Sequence, residues 1–202
     1  MESKKTVIQI GLGSKAEFAD LLLPEKRSEY TSIIPNADES DWDGIFVDAH
    51  SISFAKAAVH LCENYPNEKL MLVNAPVSSQ DIVFFDTNSY TVSDEHCHLS
   101  GSKIERAERR DLYSTFLTGG IRLDKIVQLA PNPIGLLAMD IQGMEMEVLS
   151  DYSWSVYPEN MIIEPHSEDR HAFILSLMDS HGYELVGERL PWNKSANLIF
   201  RR

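Results

Sequence analysis

Short apolar runs alternate along this chain with stretches whose apolar residues recur at helical spacing. Thr6–Ile10 (TVIQI), Gly44–Ala49 (GIFVDA), Leu70–Val73 (LMLV), Leu136–Ile141 (LLAMDI) and Met161–Glu164 (MIIE) are runs of the first kind, each bounded by turn-forming or polar residues. Continuous apolar runs of this length suit strands buried on both faces of a parallel sheet. Ser53–Tyr65 is a helical stretch, with Ala55, Ala58, Val59, Cys62 and Tyr65 on one face and Pro66 as its stop. Ser167–His181 is another, its apolar face made of Phe173, Ile174, Leu177 and Met178. Ser167 reads as its N-cap, Glu168 and Asp169 suit the first turn, and Gly182 suits the position just past its end. The tail reads as two strands, near Tyr183–Val186 and Asn197–Arg201, that close the sheet with an antiparallel edge.

The order of elements is β-α-β-α-β, an insertion, then β-α-β-α-β-β. Within the insertion, Asp81–Asp86 alternates and is expected to pair with Tyr90–Ser93 in a hairpin around Thr87-Asn88-Ser89. Residues 94–122 are polar and charged, and read as a cap on the sheet. The expectation is therefore one α/β domain over residues 1–202, doubly wound and mostly parallel, with a hairpin and cap inserted at about 81–122. A ligand should then lie at the carboxyl ends of the strands.

Composition narrows the partners. The chain has 202 residues and a net charge of −13, which disfavours a broad surface for nucleic acid or anionic lipid. No apolar run approaches the roughly 18–20 residues of a membrane span. The opening Met1-Glu2-Ser3-Lys4-Lys5 lacks a signal peptide's apolar core, and only two cysteines occur. A protein of a reducing, cytoplasmic compartment is the expectation, and the acidity leaves room for a local basic pocket.

Three places carry candidate chemistry. Gly11-Leu12-Gly13-Ser14-Lys15-Ala16 follows the first strand and satisfies the G-x-G-x-x-A spacing of dinucleotide sites. Glycines there let the backbone approach a ligand closely. Asp48 ends the second strand, where a carboxylate accepts hydrogen bonds from ribose hydroxyls. It comes much later than the about 20 residues a dinucleotide fold expects. Asp140 ends the fourth core strand, before the turn at Gly143 and a further helix. An NAD(P)-binding oxidoreductase is thus one reading. Asp94-Glu95-His96-Cys97-His98 and the basic cluster Arg106, Arg109, Arg110 read as a solvated loop and a salt-bridged surface. Trp42, Trp154 and Trp192 flank loops, with core packing as their default role.

Across nearly its whole length the chain resembles the FkbM-type family of S-adenosylmethionine-dependent methyltransferases. Residues 140–149, DIQGMEMEVL, are similar to the family's D-[IV]-E-G-x-E-x-x-[VIL]-[LI]. Val7-Ile8-Gln9-Ile10-Gly11, Trp42-Asp43-Gly44-Ile45-Phe46-Val47-Asp48-Ala49 and Val73-Asn74-Ala75-Pro76-Val77-Ser78 resemble its first three strands. Ile121–Val127, Met161-Ile162-Ile163-Glu164-Pro165-His166, His181–Leu185 and Asn197–Phe200 resemble later segments, in the right order. The resemblance implies the Rossmann-like fold of class I methyltransferases, S-adenosylmethionine as cofactor, and methyl transfer to a hydroxyl of a sugar or small molecule. It implies Gly11, Gly13, Asp48, Ala49, Asn74, Ala75 and Asp140 as cofactor-binding residues. It points to Asp140, Glu164 and His166 as catalytic, with His166 as general base, Glu164 orienting it or contacting the substrate, and Asp140 orienting the cofactor or helping to bind the acceptor. Asp140, Glu164 and His166 would make an oxygen- and nitrogen-rich set, but no ligand-spacing motif supports a metal and none is assigned. Three departures stand out: Leu12-Gly13-Ser14-Lys15 replaces A-N-D-G, Asp48-Ala49 replaces Glu-Pro, and Gln142 replaces a glutamate. They keep open a catalytically degenerate binding module.

Overall fold

The apolar runs become strands, and the two longest gain polar residues at their starts. A computed structural model describes residues 3–12, 16–88, 98–99, 113–190 and 197–202. Seven strands form one sheet, in the order β3 (Leu70–Asn74), β2 (Ser40–Asp48), β1 (Ser3–Ile10), β7 (Ile134–Met139), β8 (Asn160–Ile163), β10 (Leu198–Arg201) and β9 (Glu184–Gly187). β1, β2, β3, β7 and β8 pair in parallel, and β10 is antiparallel to both of its neighbours. This is the mostly parallel sheet with an antiparallel edge that the sequence predicts.

Burial explains the near-continuous hydrophobicity of the central strands. Every residue of β7 and β8 is buried, because the sheet is covered on both faces. Ile8, Ile10, Ile45, Val47, Leu137, Met139, Met161 and Ile163 share one core. Their neighbours along each strand, including Val7, Phe46, Leu136, Ala138 and Ile162, belong to the other. The alternation of side chains along each strand puts these residues on opposite faces.

α1 (Ser51–Asn64) lies where it is expected but is rotated. Its buried residues are Ser53, Ala57 and Leu61, with Tyr65 just beyond, whereas Ala55 and Cys62 are exposed and Val59 is 58% exposed. The helix is rich in alanine on several sides, so the large side chains decide the face. Leu61 and Tyr65 are buried, and the Tyr65 hydroxyl donates to Asp20 Oδ1 at 2.6 Å, which fixes the rotation. The first crossover also differs. Instead of an α-helix it contains 3₁₀ turns at Ala19–Leu22, Pro24–Tyr30 and Ala37–Glu39. Buried Arg27 donates to the carbonyls of Leu21 (3.0 Å) and Leu22 (3.3 Å), groups that a longer helix would satisfy internally.

In the insertion, β4 (Ile82–Asn88) pairs with β5 (His98–Leu99) and β6 (Tyr113–Gly119) in an antiparallel sheet. Thr87 and Asn88 are strand residues here and not the expected turn. The expected partner Tyr90–Ser93 lies outside the described residues. α2 (Leu123–Val127) leads back to β7. α3 (Glu145–Asp151) connects β7 to β8, and α4 (Glu168–Ser180) connects β8 to β9. Ser167 caps α4 by accepting from Arg170 N at 3.3 Å, as the sequence predicts. Among the described residues no helix is long and apolar enough to cross a membrane.

Candidate functional site

The carboxyl ends of β1, β2 and β3 are tied together by their own polar groups. The Gly11 amide donates to Val47 O at 2.9 Å, and the Asp140 amide donates to Ile10 O at 2.9 Å. β1 therefore stays clamped between β2 and β7 to its last residue. Gly11 has φ +83, and a Cβ built there would overlap the Asp140 carbonyl oxygen. Only glycine fits. Asp48 is 8% exposed. Its Oδ2 accepts from Leu12 N at 2.9 Å and its Oδ1 from His50 N at 2.7 Å, so one carboxylate joins the loops after β1 and β2. Asn74 Nδ2 donates to Asp48 O at 2.8 Å, and Asn74 Oδ1 accepts from the Ser51 hydroxyl at 3.2 Å. Ala49 and Ala75 are half-buried beside these residues. Gly11, Asp48, Ala49, Asn74 and Ala75 thus lie along one edge, while Gly13 is outside the described residues.

The ends of β7 and β8 collect ionisable groups instead. After Asp140 the chain turns through Gln142 (φ 54) and Gly143 (φ 100) into α3. A Cβ on Gly143 would come within 2.6 Å of Arg170 Nη1. Glu145, the first residue of α3, is completely buried. Its Oε1 accepts from the amides of Ile141 (3.0 Å) and Gly143 (3.1 Å), which holds the turn closed. His166 Nε2 lies 3.1 Å from Asp140 Oδ1 and 3.4 Å from Glu145 Oε1. Its hydrogen bonds to Asp140 and then Glu145 push the His166 pKa up to about 10, against a desolvation effect that lowers it. Gln142 Nε2 donates to Asp140 Oδ1 at 3.1 Å. Glu164, just past β8, donates its amide to Met139 O at 3.1 Å.

A cleft of about 200 Å³ opens where β1, β7 and β8 end, lined by Gly11, Leu12, Phe18, Asp140, Glu164 and Asn197 among others. It is smaller than the usual 300–1,000 Å³ ligand pocket and has room for only part of a drug-sized ligand. Three of its lining residues are acidic: Glu17, Asp140 and Glu164.

Of the residues that the sequence singles out, the structure brings Asp140 and His166 together. Glu164 shares the cleft with Asp140, and His166 Nε2 lies within reach of the carboxylates of Asp140 and Glu145. Sequence reasoning missed Glu145. The signal was an acid at the start of a helix directly after a glycine turn, within reach of that turn's amides. Trp42 and Trp154 are buried, and the Trp42 indole donates to Ala37 O at 3.0 Å, so both belong to the core. The side chains of Asp94–His98, the arginine cluster and Trp192 lie outside the described residues. The G-x-G-x-x-A loop does not lead into a long helix: Ala16 has φ 49, and the next element is a four-residue 3₁₀ turn. A dinucleotide site needs an α-helix N-terminus there.

The model of the methyltransferase FkbM domain matches residues 3–185. None of the curated proteins matches the chain. Among solved structures, the chain is similar to the precorrin-6y C5,15-methyltransferase of Geobacter metallireducens, at 9% identity and a TM-score of 0.46, over 100% of this chain and 82% of the other. It is similar to TrmK of M. capricolum, solved with the cofactor product S-adenosylhomocysteine, at 8% identity and a TM-score of 0.44, over 100% and 62%. It is also similar to the METTL16 methyltransferase domain, at 11% identity and a TM-score of 0.47, over 98% and 59%.

Proposed function

The chain belongs to the FkbM methyltransferase family, and from that premise we propose that it methylates a hydroxyl oxygen of a sugar or other small molecule. Its cofactor is S-adenosylmethionine. When bound, that cofactor supplies an electrophilic methyl group on a cationic sulfonium. The donor set fits it: the Asp48 carboxylate at the end of β2 for ribose hydroxyls, Asn74 beside it, and Gly11 for close approach of the backbone. Asp140 and Glu164 put negative charge in the cleft where a cationic centre belongs.

One observation carries the reading. Asp140 borders the cleft and at the same time touches His166. Methyl transfer to oxygen needs the acceptor oxygen about 3 Å from the methyl carbon, in line with the bond that breaks. It also needs a group that takes the hydroxyl proton as the new bond forms. We assign that role to Asp140, because its carboxylate reaches the cleft. His166 holds Asp140 from one side and is itself held by Glu145, and Gln142 holds Asp140 from another. His166 is thus a positioning residue. Glu164 lines the same cleft and contacts the acceptor. The insertion over 81–122 belongs to the same domain and selects the acceptor. A net charge of −13 favours a small acceptor over nucleic acid, and the exposed thiol of Cys62 suits the cytoplasm.

The test is transfer from methyl-labelled S-adenosylmethionine to a panel of sugars, alcohols, amines and RNA. The expected product is an O-methyl ether, formed by wild type and lost in Asp140→Asn. Label on nitrogen, carbon or RNA would overturn the acceptor class.

A further inference from the structure

Three segments deliver potential ligands to one point beside the cleft: Asp140 from the end of β7, Glu145 from the first turn of α3, and His166 from the loop after β8. Their ligand atoms all lie within 4.8 Å of one another. His166 Nε2 is 3.1 Å from the Asp140 oxygen and 3.4 Å from the Glu145 oxygen. Neighbouring ligands about 3 Å apart are what an ion held at roughly 2.0–2.2 Å requires.

A second observation is independent of those distances. Glu145 is fully buried, and its Oε2 has no hydrogen-bond partner among the described residues. A buried acceptor left unpaired costs on the order of 1–3 kcal/mol, more when it is charged. A cation that this carboxylate binds through both oxygens would satisfy it. The amides of Ile141 and Gly143 fix the orientation of the same carboxylate through Oε1, the kind of outer support that ligating carboxylates have.

We propose that Asp140, Glu145 and His166 bind one divalent cation. Two carboxylates and one imidazole suit Mn²⁺ or Mg²⁺ better than a closed zinc site, which takes four ligands and favours sulfur. The site is open on one side: the Asp140 side chain is 41% exposed and that of His166 21%, against none for Glu145. The open side adjoins the cleft, so the remaining coordination positions face the acceptor and would polarise its hydroxyl. That role rests on the methyl-transfer reading; binding of the cation does not.

Mn²⁺ is the probe. The chelator-treated full-length protein is titrated with it while the free-ion electron paramagnetic resonance signal is followed, alongside calorimetry. Wild type should bind one ion per chain, in competition with Mg²⁺, and should melt at a higher temperature with the ion than without it. His166→Ala and Glu145→Gln should each weaken binding at least about tenfold, the loss typical of removing a ligand or its support. Circular dichroism checks the fold of each variant. If Glu145→Gln does not fold, the partly exposed His166→Ala and Asp140→Asn carry the test. No saturable binding at millimolar Mn²⁺, or equal affinity in wild type and His166→Ala, would overturn the site and leave a plain ion-paired histidine. Mn²⁺ binding at this site with no effect of the ion on methyl transfer would keep the site and remove its catalytic role.

Discussion

The two halves of the strand edge handle polar groups in opposite ways. At the ends of β1, β2 and β3, Asp48 and Asn74 bond to backbone amides and carbonyls of neighbouring loops. Each group has a neutral partner, and together they make a stiff cradle. At the ends of β7 and β8, Asp140, Glu145 and His166 bond to one another as well as to Gln142 and two backbone amides, and among the described residues one buried carboxylate oxygen has no hydrogen-bond partner. The difference separates holding from reacting. Neutral, satisfied hydrogen bonds give shape, whereas crowded charges give a site whose protonation and ligation can change. Binding should therefore respond mainly to changes in the first half and turnover to changes in the second.

The strongest way to break this comparison is Asp140→Asn. It should lower kcat by about 10²–10⁴, the contribution typical of a positioned acid or base, in a labelled-methyl assay. An unchanged kcat would move the chemistry elsewhere. Gly11→Ala comes next, because it attacks the joint between the halves. A left-handed residue whose new Cβ overlaps the Asp140 carbonyl should cost roughly 2–4 kcal/mol of stability. Denaturant unfolding reads that loss directly. Gln142→Glu replaces a donor to Asp140 with a further carboxylate. A like charge at this range is worth about 1 kcal/mol, so turnover should fall about fivefold while cofactor affinity stays level. The smallest effect is on pH dependence. In metal-free protein the His166 ring should stay protonated until pH approaches about 10, seen by NMR. Because its folded pKa is raised from 6.5, its stabilising contribution is complete below about pH 6.5 and fades as pH rises through about 10. A ring that titrates near 6.5 would mean that Asp140 and Glu145 do not hold it.

Much of this architecture is legible in the sequence, for physical reasons. Parallel strands buried on both faces leave unbroken apolar runs, so β1, β2, β7 and β8 announce themselves. Capping chemistry is local, so Ser167 and Gly182 mark the ends of α4. The rotation of α1 is not local. It depends on Tyr65 finding Asp20 across the first crossover, and a helix with alanine on several sides gives no other clue. The 3₁₀ crossover is equally hidden, because buried Arg27 satisfies its carbonyls from within a polar-looking stretch. In the site, Asp140 and Asp48 can be found because strand ends place them. The pairing of His166 with Glu145 cannot, because it joins a loop after β8 to a helix after β7 and has no spacing in sequence.

The most direct test of the division between holding and reacting is calorimetric titration of wild type, Asp48→Ala and Asp140→Asn with S-adenosylmethionine and S-adenosylhomocysteine. Asp48→Ala should weaken both nucleosides about tenfold or more, because it removes a carboxylate that orders two loops. Asp140→Asn should leave the uncharged thioether of S-adenosylhomocysteine unaffected and weaken the cationic S-adenosylmethionine less than Asp48→Ala does. If neither nucleoside binds wild type, or if Asp48→Ala binds both as tightly as wild type does, the account is contradicted.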